Sequence, residues 1–239
     1  MTQAMEPEAK PQFAAGVWVV IPAYNEGAQL PSVVRSVLQH GYQVVVVDDG
    51  SAEEASLKLS TANAHVCRHL VNLGQGAALQ TGIRYALSAG ADYIVTFDAD
   101  GQHCADEISR VVEPLLDDSC DIVLGSRFIE GGSAIGISTS KNFVLRCAII
   151  FSRLASGLPL TDTHNGFRAM SRKAASAISI TQNGMAHATQ ILTEISRNKL
   201  RMKEVPVTIT YTEYSIQKGQ RLSNAFNIAW ESVMEMFKK

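Results

Sequence analysis

Apolar residues, many of them β-branched, run continuously through 17–21 and 44–47 and approximately so through 93–97 and 122–124. Runs of this length with no polar alternation predict strands buried on both faces. Between them the pattern changes period. Leu30, Val33, Val34, Val37 and Leu38 fall at i, i+3, i+4, i+7 and i+8, which predicts a helix over 30–38; 77–89 and 107–116 read the same way. Strand–helix alternation predicts an α/β domain with a mostly parallel sheet. In such sheets ligands bind beyond the carboxyl ends of the strands.

The second half is less regular. Residues 142–156 predict an apolar helix carrying Arg146 and Arg153. Residues 187–198 predict another helix, and 202–211 a strand interrupted by Pro206. Phe226, Ala229, Trp230, Val233 and Phe237 share one helical stripe, so 222–239 predicts an amphipathic helix packed on the domain or on a partner. Residues 1–15, with Glu6, Pro7, Glu8, Lys10 and Pro11, read as a frayed tail with no signal peptide. There is no Pro/Ser-rich linker and no repeat. One domain over 16–221 with a C-terminal elaboration is the expected organisation, its halves dividing at 125/126.

At 239 residues and 46% hydrophobic content, the chain can bury a large core. Four scattered cysteines (Cys67, Cys104, Cys120, Cys147) read as reduced thiols of a cytoplasmic protein. The net charge of −2 argues against a nucleic-acid partner, but it is unevenly spread. Residues 1–125 hold 6 basic and 16 acidic side chains, residues 126–221 hold 13 and 5. The basic half admits an anionic partner.

Polar clusters follow each predicted strand. Asp98-Ala99-Asp100 places two carboxylates two residues apart, where they can share a hard cation such as Mg²⁺ or Mn²⁺ bridging to a diphosphate, with Gln102 as a further oxygen donor. A solvated turn is the competing reading. Asp48-Asp49-Gly50-Ser51 offers a carboxylate to a nucleobase or ribose, or caps a helix. In Pro22-Ala23-Tyr24-Asn25-Glu26, Tyr24 offers a stacking face and Glu26 a ribose contact; a strand-to-helix turn capped by Asn25 accounts for it equally. Gly74-Gln75-Gly76 opens a helix, either as a tight turn or as an anion-facing N-terminus. Arg127, in Gly125-Ser126-Arg127-Phe128, and Arg168, at the end of Asp162–Arg168, suit a phosphate clamp, because guanidinium binds phosphate in bidentate fashion. Each taken alone reads as a surface ion pair, and His164 alone reads as structural. Their common position at successive strand ends favours one site.

IPAYNE (21–26), VDDGS (47–51), NLGQGAALQTG (72–82), FDADGQH (97–103), GSRF (125–128) and DTHNGFR (162–168) resemble, in this order, the family 2 glycosyltransferases, in particular the polyprenol-phosphate sugar synthase group. The resemblance spans about residues 17–221. It implies a GT-A fold, a Rossmann-like mostly parallel sheet flanked by helices, with acceptor-binding elements appended. It implies donor contacts at Pro22, Tyr24, Glu26, Val47, Asp49, Asp98, Ala99, Asp100 and Lys218. It implies a Mg²⁺ or Mn²⁺ at Asp98, Asp100 and Gln102, and acceptor phosphate at Arg127 and Arg168, with Asp100 and Arg127 carrying the catalysis. Where the group usually has Arg, Thr212 stands, and Ser215 replaces a usual glycine; Tyr214 matches and Arg221 is a substitute cation. The implied activity is an inverting transfer from a GDP- or UDP-sugar to a polyprenyl phosphate, supplying lipid-linked sugar for cell-envelope glycan or glycoprotein assembly.

Two other functions stay open: transfer to a sugar hydroxyl of a growing glycan, with Glu194 as the candidate base, and non-catalytic binding of a nucleotide-sugar. No stretch reaches the ~20 apolar residues of a membrane span. A lipid acceptor therefore implies peripheral attachment at the cytoplasmic face of the membrane, or a small transmembrane partner protein. The helix over 142–156 reads either as interfacial or as core.

Overall fold

The computed structural model describes residues 14–53, 55, 59, 63–163 and 165–211. The tail over 1–13, His164, Thr212, Tyr214, Ser215, Lys218, Arg221 and the stripe over 222–239 lie outside the described residues. Nine strands are described: β1 (Val17–Ala23), β2 (Gln43–Asp48), β3 (His65–Arg68), β4 (Tyr93–Thr96), β5 (Ile122–Ser126), β6 (Ser133–Ile135), β7 (Arg168–Ser171), β8 (Met202–Pro206) and β9 (Thr208–Thr210). With them stand helices α1 (Gln29–Gln39), α2 (Gln75–Ser88), α3 (Ile108–Leu116), α4 (Thr139–Ser156), α5 (Arg172–Ala177) and α6 (His187–Arg197).

The seven-stranded sheet runs β3-β2-β1-β4-β7-β5-β8, parallel except for β7, which is antiparallel to both neighbours. β6 and β9 form a separate parallel pair. Strand alternation sorts the core into two layers. Val17, Val19 and Ile21 of β1 pack with Leu30, Val33 and Val37 of α1 and Ile108, Val111 and Leu115 of α3. Trp18 and Val20 pack on the opposite face with Leu79 and Ile83 of α2 and Ile191 and Ile195 of α6. Both faces are thus covered, which is why β1 and β2 read as continuous apolar runs.

Asp121, just before β5, ties the sheet edge together. Its carboxylate accepts hydrogen bonds from Lys173 Nζ (3.1 Å), Arg201 Nη2 (3.0 Å), Arg201 Nε (3.1 Å) and the Arg201 backbone N–H (2.9 Å). The Arg201 hydrogen bond holds its carboxyl well below the usual carboxylate range, against the opposing effect of burial. Asp121→Ala is expected to lower stability by about 2 kcal/mol, discounted because Arg201 is half-exposed. That corresponds to a Tm lower by roughly 4–8 °C. A depressed folded-state value means the contribution is full above about pH 4 and is lost progressively in more acid solution. Melting curves of both proteins should converge there; a gap that widens in acid would refute the assignment.

Candidate active site

β2, β1 and β4 are adjacent and parallel, with Ala23 opposite Asp48 and Val20 opposite Thr96. Their carboxyl ends therefore deliver three sequence-distant clusters to one cleft. It measures about 350 Å³ and is lined by Pro22, Ala23, Tyr24, Glu26, Asp49, Asn72, Gly74, Gln75, Ala78, Asp98, Ala99, Asp100 and Met185.

The two neighbouring aspartates at the end of β2 separate by role. Asp48 accepts from the backbone N–H groups of Ser51 (2.9 Å) and Ala55 (3.0 Å), a cap for the chain that follows. Asp49 faces the cleft and pins its wall, accepting from Leu73 N (2.9 Å) and Gly74 N (2.7 Å). Asn25 joins the first two loops: its backbone N–H donates to Ser51 Oγ (3.0 Å) and its Oδ1 accepts from Ala52 N (3.0 Å).

Asp98 accepts from Gln75 Nε2 (3.0 Å) on Oδ1 and meets His103 Nε2 (3.1 Å) on Oδ2. The His103 ring packs against Phe97 and Phe167, which fixes its position. A Cβ at Gly166 would collide with the Asp98 carboxylate, so the glycine makes room for it. Burial alone would raise the Asp98 carboxyl, but the His103 hydrogen bond and the fields of His103, His187 and Arg168 hold it below its ordinary value. Asp100 goes the other way. Burial, and then the charge of Asp98, push it up to about 6, with Glu26 acting in the same sense. Carboxylates crowded in this way are what a divalent cation relieves. Among the described residues no three His, Cys, Asp or Glu side chains form a ready cage. Two carboxylates beside an open cleft nevertheless fit Mg²⁺ or Mn²⁺, which take one or two protein carboxylates and complete their shell with phosphate and water.

Other expected residues sit elsewhere. The Val47 side chain is buried against Gly82 of α2, away from the cleft. Gln102 does not line the cleft. Its backbone N–H donates to Asp100 Oδ1 (3.0 Å) and its carbonyl accepts from Thr210 N. Arg127 is buried behind the cleft, its Nε and Nη2 forked onto Asp162 (2.7 and 2.6 Å), its Nη1 on Tyr211 Oη (2.6 Å). Glu204 holds that loop from below, accepting from Thr161 N (2.8 Å) and Asp162 N (3.2 Å). Arg168 is 5% exposed. Burial lowers it to about 10, offset by the charges of Asp98 and Asp162, so it stays a cation at neutral pH. Glu194 bonds Asn198 Nδ2 (3.1 Å) and Arg197 Nη1 (3.5 Å), outside the cleft lining.

Sequence reasoning missed Asn72, Met185, His103 and His187, and took Gln75 as part of a turn. A polar side chain between two glycines at a helix start was the available signal for Gln75. Met185 had none. It reaches the cleft because Gly74, at φ +104°, and Gly76 let the chain at 182–184 lie directly on them, with Gly76 N donating to Asn183 O (2.8 Å).

A family model described as Glycosyl transferase family 2 matches residues 18–179. The chain is 32% identical over 238 residues to a UDP-N-acetylglucosamine–dolichyl-phosphate N-acetylglucosaminyltransferase of Methanococcus voltae, covering 91% of this chain and 95% of that protein. It is 31% identical over 212 residues to a polyprenol monophosphomannose synthase of Mycolicibacterium smegmatis, covering 84% and 79%. Mycobacterium tuberculosis glucosyl-3-phosphoglycerate synthase, crystallised with Mn²⁺, UDP and glucosyl-3-phosphoglycerate, superposes with a TM-score of 0.69 at 18% identity, over 93% of this chain and 78% of that one. That likeness is one of fold.

Proposed function

The chain belongs to glycosyl transferase family 2, with a GT-A fold, and we propose that this transferase moves a sugar from a nucleotide-sugar to a polyprenyl phosphate with inversion. The observation that carries the reading is the convergence of Tyr24, Glu26 and Asp49 with Asp98 and Asp100 in one cleft. Relatives at 32% and 31% identity named for dolichyl and polyprenol phosphate acceptors support the acceptor class.

Tyr24, Glu26 and Asp49 hold the nucleoside, and Asp98 and Asp100 face the diphosphate. Mg²⁺ or Mn²⁺ bound by Asp98 and Asp100 would supply charge neutralisation for the departing diphosphate. An oxygen of the acceptor phosphate attacks the anomeric carbon as the bond to the diphosphate breaks. That oxygen is already deprotonated at neutral pH, so no general base is required. Arg168 supplies buried positive charge on the acceptor side. Incubation with labelled UDP- and GDP-sugars, undecaprenyl phosphate and Mn²⁺ should yield a lipid-linked sugar that EDTA abolishes. Absence of lipid-linked product from every donor would overturn the proposal.

Gly166→Ala is expected to displace the Asp98 carboxylate and lower kcat/KM about tenfold or more, since small misplacements of reacting groups are costly. Binding of the lipid acceptor alone should be unaffected. Wild-type turnover would show that Asp98 tolerates the shift.

No helix among the described residues is long and apolar enough to cross a membrane. α4 offers a different route to a lipid. Phe143, Ile150 and Leu154 are 69, 60 and 80% exposed, with Arg146 and Arg153 beside them. Ser152 Oγ pairs with Thr163 Oγ1 (2.9 Å), linking the helix to the Asp162 loop. The face is suited to lie in a bilayer interface, aided by anionic lipid at about 1 kcal/mol per basic residue. Wild-type protein should co-sediment with phosphatidylglycerol vesicles. Changing Phe143, Ile150 and Leu154 together to Ser should weaken partitioning at least about tenfold with little change in Tm. Equal partitioning would remove α4 from the contact.

A further inference from the structure

His103 is buried more deeply than its hydrogen bonding warrants. Its side chain is 3% exposed. The ring lies between those of Phe97 (5.2 Å between centroids) and Phe167 (5.1 Å), which also meet each other edge to face at 5.3 Å. Nε2 lies 3.1 Å from Asp98 Oδ2, and Nδ1 is buried without a hydrogen-bond partner among the described residues. A proton on Nδ1 would have no acceptor, so the ring carries it on Nε2 and donates it to Asp98. A buried polar atom without a partner lowers stability. A phenylalanine would complete the aromatic cluster without that penalty. Packing therefore does not account for a histidine here, and the Nε2–H contact does.

The backbone that carries the ring is fixed as well. His103 bridges to Ile209, and the neighbouring Gln102 carbonyl accepts from Thr210 N (3.0 Å). Asp98 is thus held by two donors of different kinds. Gln75 Nε2, 3.0 Å from Oδ1, belongs to a residue that lines the cleft and can turn towards a substrate. His103 stands in the wall behind, outside the cleft lining. We propose that His103 is a positioning residue for sugar transfer, which fixes through Nε2–H the direction in which the Asp98 carboxylate faces the cleft, at some loss of stability. The inference rests on the placing of Asp98 at the donor diphosphate above, and adds a residue that touches neither substrate.

Transfer kinetics, melting curves and calorimetric titration with UDP or GDP and Mn²⁺, on the full chain and two variants, test this. His103→Phe keeps a ring in the aromatic cluster and removes both the orphaned Nδ1 and the donor. Asp98, 29% exposed, can recover the lost contact from water. Tm should hold or rise. Its kcat should fall about tenfold or more and the nucleotide with Mn²⁺ should bind several-fold more weakly, the range seen when a group that orients a metal-facing carboxylate is lost. KM for the lipid acceptor should not change. His103→Gln puts an amide N–H where Nε2 stood but packs poorly against the two phenylalanines, so it should melt lower yet recover most of the rate. Opposite orders of stability and rate in the two variants mark positioning. Wild-type kcat in His103→Phe overturns the proposal. So does a loss of rate accompanied by a fall in Tm, which marks a ring needed only for packing. A His103→Gln rate no better than that of His103→Phe overturns the hydrogen-bond account. Wild-type protein that binds neither nucleotide overturns the nucleotide-sugar reading, and this inference with it.

Discussion

Asp100→Asn is expected to lower kcat/KM for sugar transfer by about 10²–10³-fold while leaving the fold intact. Charge stabilisation of a leaving diphosphate is worth several kcal/mol, and each 1.4 kcal/mol is a factor of ten. The change removes one of the two carboxylates proposed to hold the cation, and Asn is a weaker ligand for a hard cation. Structurally Asp100 does little else. It accepts a hydrogen bond from the backbone N–H of Gln102, two residues on, which an amide oxygen can also accept. Its carboxyl is pushed up to about 6 by burial and by Asp98, so the folded protein loses a strained charge. Tm should therefore hold or rise slightly while activity collapses. Steady-state kinetics at saturating Mn²⁺, with a melting curve on the same preparation, separates the two effects. Near-wild-type turnover would remove Asp100 from the catalytic machinery.

Asp162→Asn should act on the opposite property. Arg127 and Asp162 are both buried, joined by a forked pair of hydrogen bonds and a third from the Arg127 backbone N–H (2.9 Å). Burial works against the Arg127 charge, and Asp162 followed by Tyr211 restores it. Neutralising the partner leaves a buried cation without compensation, which costs about 3–5 kcal/mol. For a chain of this length that lowers Tm on the order of 10 °C. The double change Arg127→Met with Asp162→Leu should recover much of the loss, because removing both charges also removes their desolvation. A single variant melting within a degree of wild type would show that the pair is not dry.

These two cases mark what was readable in the chain. Asp98 and Asp100 were legible because their chemistry lies in adjacent residues at the end of an apolar run. The Arg127–Asp162 pair was not, because its partners are 35 residues apart and nothing local joins them. The same contrast holds for the elements. β1, β2, β4 and β5 show as apolar runs, and α1 and α3 as clean 3.6-residue periods. β3 (His65–Arg68) is a short sheet edge with polar ends, and β7 (Arg168–Ser171) is four residues with an arginine and a serine, so neither carries a burial period. β7 exists as a strand because β4 and β5 stand on either side with free hydrogen-bonding edges.

The uneven charge was also visible in advance, but its use was not. Arg127 is spent on Asp162, Arg172 on the carbonyls of Ala91 and Leu87, and Arg201 on Asp118 and Asp121. Arg146 and Arg153 stay exposed on α4 beside an apolar stripe. By itself the sequence determined the α/β architecture, the order of the polar clusters and the family, since periodicity and motif chemistry are written in neighbouring residues. Tertiary structure alone decided that Asp48 caps while Asp49 faces the cleft, that Gln75 and His103 hold Asp98, and which arginines pair with buried carboxylates. Those outcomes depend on which distant segment fills each hydrogen-bonding position, and long-range pairing leaves no trace in a local pattern.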